Sequence, residues 1–354
     1  NSPGAGKCNQ DNSRLDQLHG QQIDVFIAPR CLFNLSFIVS KFRRVQEEAV
    51  EGGCGLVAHT SYRVSSAEAE RIAGAAPSKS TLHRRLQEIS QYLDPFGSLH
   101  QVPFRFLMAD GTKVKMQSFK PREFQTSQLR WAAGATHEYG AFTPVGFWLD
   151  TTWEDIRSDL EQRLDYSRLE VLFSDGELGI ERLLADHMNH QRCTFHGRRE
   201  LSFILYQDGV KRPHQTEFID TLTQAPVFRW RQQYGETLKP QDRERIEKMI
   251  EQTAEAFKNL HNLLKTKGYP QSASYVDRLA KAVTTFFEHW LATGRMPPHT
   301  TNAIESQFSR FVNRVKHIGR RWSPAGLLNW LKMMFYKTFC PPTVWKRSRA
   351  RRSP

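Results

Sequence analysis

The stretch Phe104-Arg105-Phe106-Leu107-Met108-Ala109-Asp110-Gly111-Thr112 constrains the chain most, because an alternating apolar run ends there on a carboxylate. Phe104, Phe106 and Met108 share one face at period two, which predicts a buried strand delivering Asp110 to a sheet edge. Two later segments are built to meet it. Leu169-Glu170-Val171-Leu172-Phe173-Ser174-Asp175-Gly176 is a second apolar strand ending on an aspartate, and Thr300-Thr301-Asn302-Ala303-Ile304-Glu305-Ser306-Gln307-Phe308 is a helix start with a glutamate in its first turn. Like charges held together in a partly dry site raise one another's pKa, so the three carboxylates need compensation. A divalent metal supplies it.

The chain has 354 residues and a formal charge of +13, long enough for two or three domains with substantial cores. The location of that charge matters more than its size. From Ser306 to Pro354 there are twelve Lys or Arg and no Asp or Glu. A segment of one sign repels itself unless a polyanion neutralises it, so nucleic acid is the expected partner, with an anionic membrane surface the weaker alternative. The five cysteines are scattered and odd in number, which gives no disulfide framework and predicts a reducing, intracellular setting. No apolar run approaches the roughly 20 residues of a membrane span.

In chain order, residues 1–60 read as a polar, frayed start followed by a helical pattern over Ile23 to Val50 that the Gly52-Gly53-Cys54-Gly55 cluster breaks. Within residues 61–98, Ser66 to Ala73 and Ser78 to Leu86 read as helix, tight turn, helix. Leu82, Leu86, Ile89 and Leu93 lie on one face of the second helix, leaving Lys79, Ser80, His83 and Arg84 outward. A helix-turn-helix presents a recognition helix to a major groove in this way, and an ordinary helical hairpin with a solvated basic face gives the same pattern.

Residues 99–210 then change texture. After the Asp110 strand come strands at Leu129 to Thr136 and Thr143 to Leu149, and a helix with Ile156, Leu160 and Leu164 on its apolar face. The Asp175 strand leads into a helix carrying Ile180, Leu183 and Leu184, and a fifth strand is expected at Arg192 to Phe195. That order is the order of a ribonuclease-H-like core, an α/β fold with a mixed five-stranded sheet flanked by helices. Residues 211–294 lose the strand signal. Helical stripes over Arg245 to Lys267 and Tyr275 to Leu291 predict an all-α insertion. Residues 295–340 return to the core with the glutamate helix and one more helix, and 341–354 read as a disordered basic tail.

Asp110 in MADGT, Asp175 in FSDGELG, Cys193 and His196 in CTFH, and Glu305 in TTNAIESQFSRFVNRVKHIGRRWSPAG together resemble the Mutator/IS256-like transposases of the DDE class. The resemblance covers residues 100 to 340 approximately, and TTNAIE is its most specific part. It implies a DNA transposase that cleaves and joins the ends of a mobile element. Asp110, Asp175 and Glu305 would bind two Mg²⁺ roughly 4 Å apart, with Mn²⁺ a possible substitute; Asp110 would bridge the ions, Asp175 would hold one and Glu305 the other. It places Cys193 and His196 near that site, with His196 contacting a phosphate or water. It also implies duplex DNA as partner, both element ends and target, and assembly as a homo-oligomer on DNA, in the nucleoid or, in a eukaryotic host, the nucleus. No membrane partner is expected. On this reading Lys79, Ser80, His83 and Arg84 read the DNA, and Arg310, Arg314, Lys316, Arg320 and Arg321 hold its backbone.

Each carboxylate also has an ordinary structural role open to it. Asp175 can cap a following helix, Asn302 and Glu305 fit a capping box, and Asp110-Gly111 fits a turn. His187, His190, Cys193 and His196 recur every third residue, which also allows a structural zinc. A catalytically silent transposase-derived DNA-binding protein and a structure-specific DNA nuclease on the same fold are the rival functions. Removing residues 341–354 deletes five cations, Lys346, Arg347, Arg349, Arg351 and Arg352. It should weaken binding to all DNA sequences alike and flatten the slope of log affinity against log salt by up to ~4. Lys79→Ala/Arg84→Ala should instead lose sequence preference, and an unchanged specificity ratio in salt-titrated binding would remove these residues from DNA reading.

Overall fold

The computed structural model describes residues 53–57, 60–73, 77–93, 96, 99–118, 125–138, 140–234, 238–316 and 322–339, all within one compact unit, 47–354. The expected helix over Ile23 to Val50, the residues Arg320 and Arg321, and the basic tail lie outside the described residues.

Five strands make one mixed sheet: β1 (Phe106–Met116), β2 (Gln125–Ala135), β3 (Thr143–Leu149), β4 (Val171–Ser174) and β5 (Asn189–Arg192), in the order β3-β2-β1-β4-β5. β1 pairs antiparallel with β2 and β2 with β3, whereas β4 lies parallel to β1 and β5 parallel to β4. This is the ribonuclease-H-like arrangement. β1 is longer than its apolar run suggests. It continues through Asp110 and Gly111 to Met116, with Lys113 and Lys115 exposed and Val114 and Met116 buried, so Asp110 sits mid-strand rather than at an end. Gly111 lies inside the strand with the tip of Glu177, Oε2, 2.5 Å from where a Cβ would stand.

The two faces of the sheet bury different partners. Leu107, Ala109, Ala132, Val145 and Leu172 pack against α3 (Trp153–Arg163) through Trp153, Ile156 and Leu160. Thr152 starts that helix by accepting the Asp155 N–H at 3.1 Å. On the opposite face the Phe106 and Phe173 rings meet at 5.8 Å, and Trp131 stacks on Phe308 at 4.9 Å. Phe308 belongs to α10 (Asn302–Lys316), and Phe308 and Phe311 pack in turn on Phe335 of α11 (Pro324–Phe339). Burying each such ring stabilises by roughly 2–3 kcal/mol, whereas like charges at helical spacing cost a few tenths of a kcal/mol per pair. The aromatic layer therefore holds the basic helices on the sheet.

Two helices, α1 (Tyr62–Ala73) and α2 (Lys79–Ser90), form the expected hairpin, and Ser78 caps α2 by accepting the Thr81 N–H at 3.1 Å. Their layer is tied to α11: Trp330 Nε1 donates to Val57 O at 3.2 Å and Lys337 Nζ to Gly55 O at 2.7 Å.

From Thr194 to Thr293 the chain is helical: α4 (Thr194–Gln207), α5 (Arg212–Gln224), α6 (Pro226–Tyr234), α7 (Arg243–Thr266), α8 (Pro270–Ala280) and α9 (Thr285–Thr293). One apolar cluster joins them, from Leu201 and Leu205 through Phe257 and Leu260 to Phe286 and Trp290. The single helix expected over Tyr275 to Leu291 is broken into α8 and α9, because the intervening residues pair with the outer edge of β5. Arg192 N–H donates to Ala282 O at 2.7 Å, and the buried Gln191 amide donates to Val283 O at 3.2 Å and accepts from Phe286 N at 2.8 Å. The fifth strand also lies earlier than expected. It ends at Arg192, and Cys193 begins α4, so His196 stands in a helix rather than after a strand. The helix expected after Asp175 is only a single 3-10 turn, Ile180–Leu183. Among the described residues no helix is long and apolar enough to cross a membrane.

Candidate active site

Parallel pairing of β1 and β4 sets Ala109 beside Ser174, so the next residues, Asp110 and Asp175, come side by side. Asp110 shares a face with Phe106 and Met108, the face that α10 covers. Glu305 reaches this place from the first turn of α10. The helix start is stapled there: Thr194 N–H donates to His299 O at 3.0 Å and Thr301 N–H to Cys193 Sγ at 3.4 Å. Cys193 N–H in turn donates to Ser174 O at 2.8 Å, which closes the link back to β4.

Side chains converge accordingly. Glu305 Oε1 accepts the Thr301 hydroxyl at 2.6 Å and lies 3.6 Å from His196 Nδ1, and the Thr301 hydroxyl is 3.3 Å from the same nitrogen. Asp110 Oδ1 accepts the Gly111 N–H at 2.7 Å, and Asp175 Oδ1 accepts the Glu177 N–H at 3.1 Å. Burial pushes the Asp110 carboxyl up to about 7, helped by the charges of Asp175 and Glu305 against the Gly111 hydrogen bond and His196. Asp175 is raised by burial too, with the Glu177 N–H and the His196 and Arg192 charges opposing. Its hydrogen bond with Cys193 raises His196 despite burial, and Glu305 adds to that. Burial would lift the Cys193 thiol, yet hydrogen bonds from His196 and Thr301 bring it below its ordinary value.

Asp110, Asp175, Glu305, His196 and Cys193 are thus brought together. Among the described residues no three His, Cys, Asp or Glu stand as a closed set around one metal position. The donors present are carboxylate oxygens, which suit hard, oxygen-seeking cations, beside the His196 and Cys193 side chains. The four-residue zinc alternative is not assembled. His187 Nε2 is 3.2 Å from Tyr166 O, and His190 Nε2 is 2.8 Å from Ser174 Oγ, with burial pushing His190 down to about 4. Lys79, Ser80 and Arg84 are exposed on α2, and His83 is half-buried with its ring edge-on to Tyr62 at 5.3 Å. Arg310, Arg314 and Lys316 lie on the C-terminal half of α10.

Three groups at the site escape sequence reasoning. Thr301, read only as part of a helix start, links Glu305 to His196. Glu177, two residues past Asp175, pairs with Arg130 of β2 at 3.1 Å. Arg192, buried to 4 %, donates to Gly176 O at 3.2 Å and to Glu200 Oε2 at 3.2 Å, under the Tyr275 ring of α8. A Cβ on Gly176, whose φ is +91°, would fall 1.6 Å from the Arg192 guanidinium carbon, so only glycine lets this arginine clamp the Asp175 loop.

No protein-family model and no curated protein sequence matches the chain. Among solved structures it is similar to one titled a Drosophila P element transposase strand transfer complex, at 12 % identity and a TM-score of 0.38, with 84 % of this chain and 93 % of that one covered.

A raised carboxyl fixes the sign of the pH response. Below about pH 4 Asp110 is protonated folded or unfolded, and no cost arises. Between there and about 7 the folded, metal-free protein keeps a proton that the unfolded chain has lost, so stability falls as pH rises. Burial works the other way on His190 and His299, both lowered to about 4, so the Asp110 contribution is read as a difference: from pH 4 to 8 metal-free wild type should lose up to ~4 kcal/mol relative to Asp110→Asn in chemical denaturation. A stability difference between wild type and Asp110→Asn that stays constant over this range, or changes in the opposite sense, would contradict the electrostatic reading.

Proposed function

We propose that this chain is a DNA transposase of the DDE class, of the Mutator/IS256-like group, that cleaves and joins the ends of a mobile element. The observation that carries this reading is the convergence of Asp110, Asp175 and Glu305, from a central strand, a neighbouring strand end and a helix start, with Asp110 pushed up to about 7 by burial and, to a lesser degree, by the other two charges. When bound, two Mg²⁺, or Mn²⁺ in their place, would activate a water or a DNA 3′-hydroxyl and stabilise the leaving oxygen. Asp110 would hold both ions, Asp175 one and Glu305 the other.

The chain's own residues do the rest. Thr301 and His196 fix the Glu305 carboxylate, and the Arg192 clamp holds the Asp175 loop. His196, protonated more readily than an ordinary histidine, is set to donate a hydrogen bond to a phosphate oxygen as charge builds on it. α2 would read the element ends through Lys79, Ser80, His83 and Arg84. The basic block of Arg310, Arg314, Lys316, Arg320 and Arg321 would hold backbone phosphates, in a homo-oligomer assembled on DNA.

Asp110→Asn, Asp175→Asn and Glu305→Gln keep side-chain volume and remove charge. Each should lower Mg²⁺-dependent cleavage of end-containing DNA on the order of 10³-fold with folding and DNA affinity retained, and His196→Ala should cost ~10²-fold. Metal-dependent cleavage that survives any of the three would remove that residue from the site. Joining in a strand-transfer assay separates a transposase from a nuclease, and cleavage without joining would leave only the nuclease.

A further inference from the structure

We propose that the outward face of α4 is a stacking platform for unpaired nucleotides of the DNA strand at the carboxylate site. The inference rests on the reaction proposed above and names the form of DNA that this face takes.

The helix has two unlike faces. Thr194, His196, Gly197, Leu201 and Leu205 are buried, whereas Phe195, Phe203 and Tyr206 are 46 %, 63 % and 70 % exposed. Phe195, Arg199, Phe203 and Tyr206 follow one another at spacings of four, four and three, so they form one stripe, roughly 16 Å long. The stripe begins at the site itself: the Phe195 ring meets the His196 ring edge-on at 5.5 Å, and the Arg199 guanidinium lies 5.5 Å over Phe195. Single exposed aromatics are ordinary on a protein surface. Three on one face of one helix, interleaved with an arginine and starting beside a candidate phosphate site, are not.

Charge selects the occupant. Arg198 and Arg199 of α4 and Arg229 and Arg231 of α6 contact aromatic rings and side-chain amides. The only acidic residue on the two helices, Glu200, is engaged with Arg192. A second copy of this chain docked through a two-fold axis would set these arginines against their own images. A phosphate backbone neutralises them, and bases offer π-faces to the rings. A duplex hides its base faces in the stack, so unpaired nucleotides fit and paired ones do not.

The test uses the full chain in EDTA, where no cleavage occurs, and a fluorescein-labelled mixed-sequence single strand against the same sequence as duplex. Phe203→Leu and Tyr206→Leu replace exposed rings with a helix-forming apolar residue and should leave the circular dichroism spectrum unchanged. Each should weaken single-strand affinity on the order of tenfold while duplex affinity stays within about twofold. Phe203→Tyr and Tyr206→Phe should restore binding. Equal losses on both DNAs, no loss on the single strand, or a shift to a smaller species in sedimentation with single-strand affinity intact would overturn the platform, the last in favour of a copy-to-copy contact. Cleavage retained by Asp110→Asn would instead defeat the reaction and leave the platform standing, so the two failures are separable.

Discussion

Burial of the Asp110 carboxyl beside Asp175, at neighbouring positions on two parallel strands, is the constraint on which the site depends. The strand register forces the contact, the aromatic layer on that face excludes water beside it, and α10 adds Glu305. The protein answers in part by raising the Asp110 carboxyl to about 7 and by placing His196, Arg192 and the Gly111 and Glu177 N–H groups against the charges.

The helical segment and the carboxylates are mechanically one structure. β5 is a strand of polar residues, Asn189 to Arg192, and each of its last three side chains ties something to the site: His190 to Ser174, Gln191 to the α8–α9 junction, Arg192 to the Asp175 loop and Glu200. Tyr275 of α8 donates to Gly197 O at 2.7 Å, which fixes the turn of α4 that carries His196. A displacement of the helices therefore reaches Asp175 and His196 through Arg192 and Tyr275. Two bonded routes exist, one through Arg192 and one through Tyr275.

Much of the sheet was legible because its strands announce themselves by apolar alternation, and the meeting of Asp110 with Asp175 was legible because each follows such a run. The misplacements have physical causes. β5 carries no apolar signal, since its polar side chains are satisfied by tertiary partners invisible to local pattern. Cys193-Thr194-Phe195 looks strand-like from its side chains, yet its backbone is captured by Ser174 and His299 and turns into a helix. Gly111 reads as a turn, but it is a close approach to Glu177 inside a continuous strand. The apolar stripe from Tyr275 to Leu291 runs on through a break imposed by the edge of β5. Thr301 was hidden for a different reason: a threonine before a helix is an ordinary cap, and only its distance to His196 gives it a second role.

Calorimetric titration of metal-free protein with Mg²⁺ and Mn²⁺ at pH 7, in two buffers of different ionisation enthalpy, tests the central claim most directly. A cation taken up by Asp110 must displace its proton, and with the carboxyl near 7 the heat should report saturable binding with release of about half a proton or more. Asp110→Asn should lose both the binding and the proton. Saturable binding that releases no proton and survives Asp110→Asn, or no binding at all, would contradict the account.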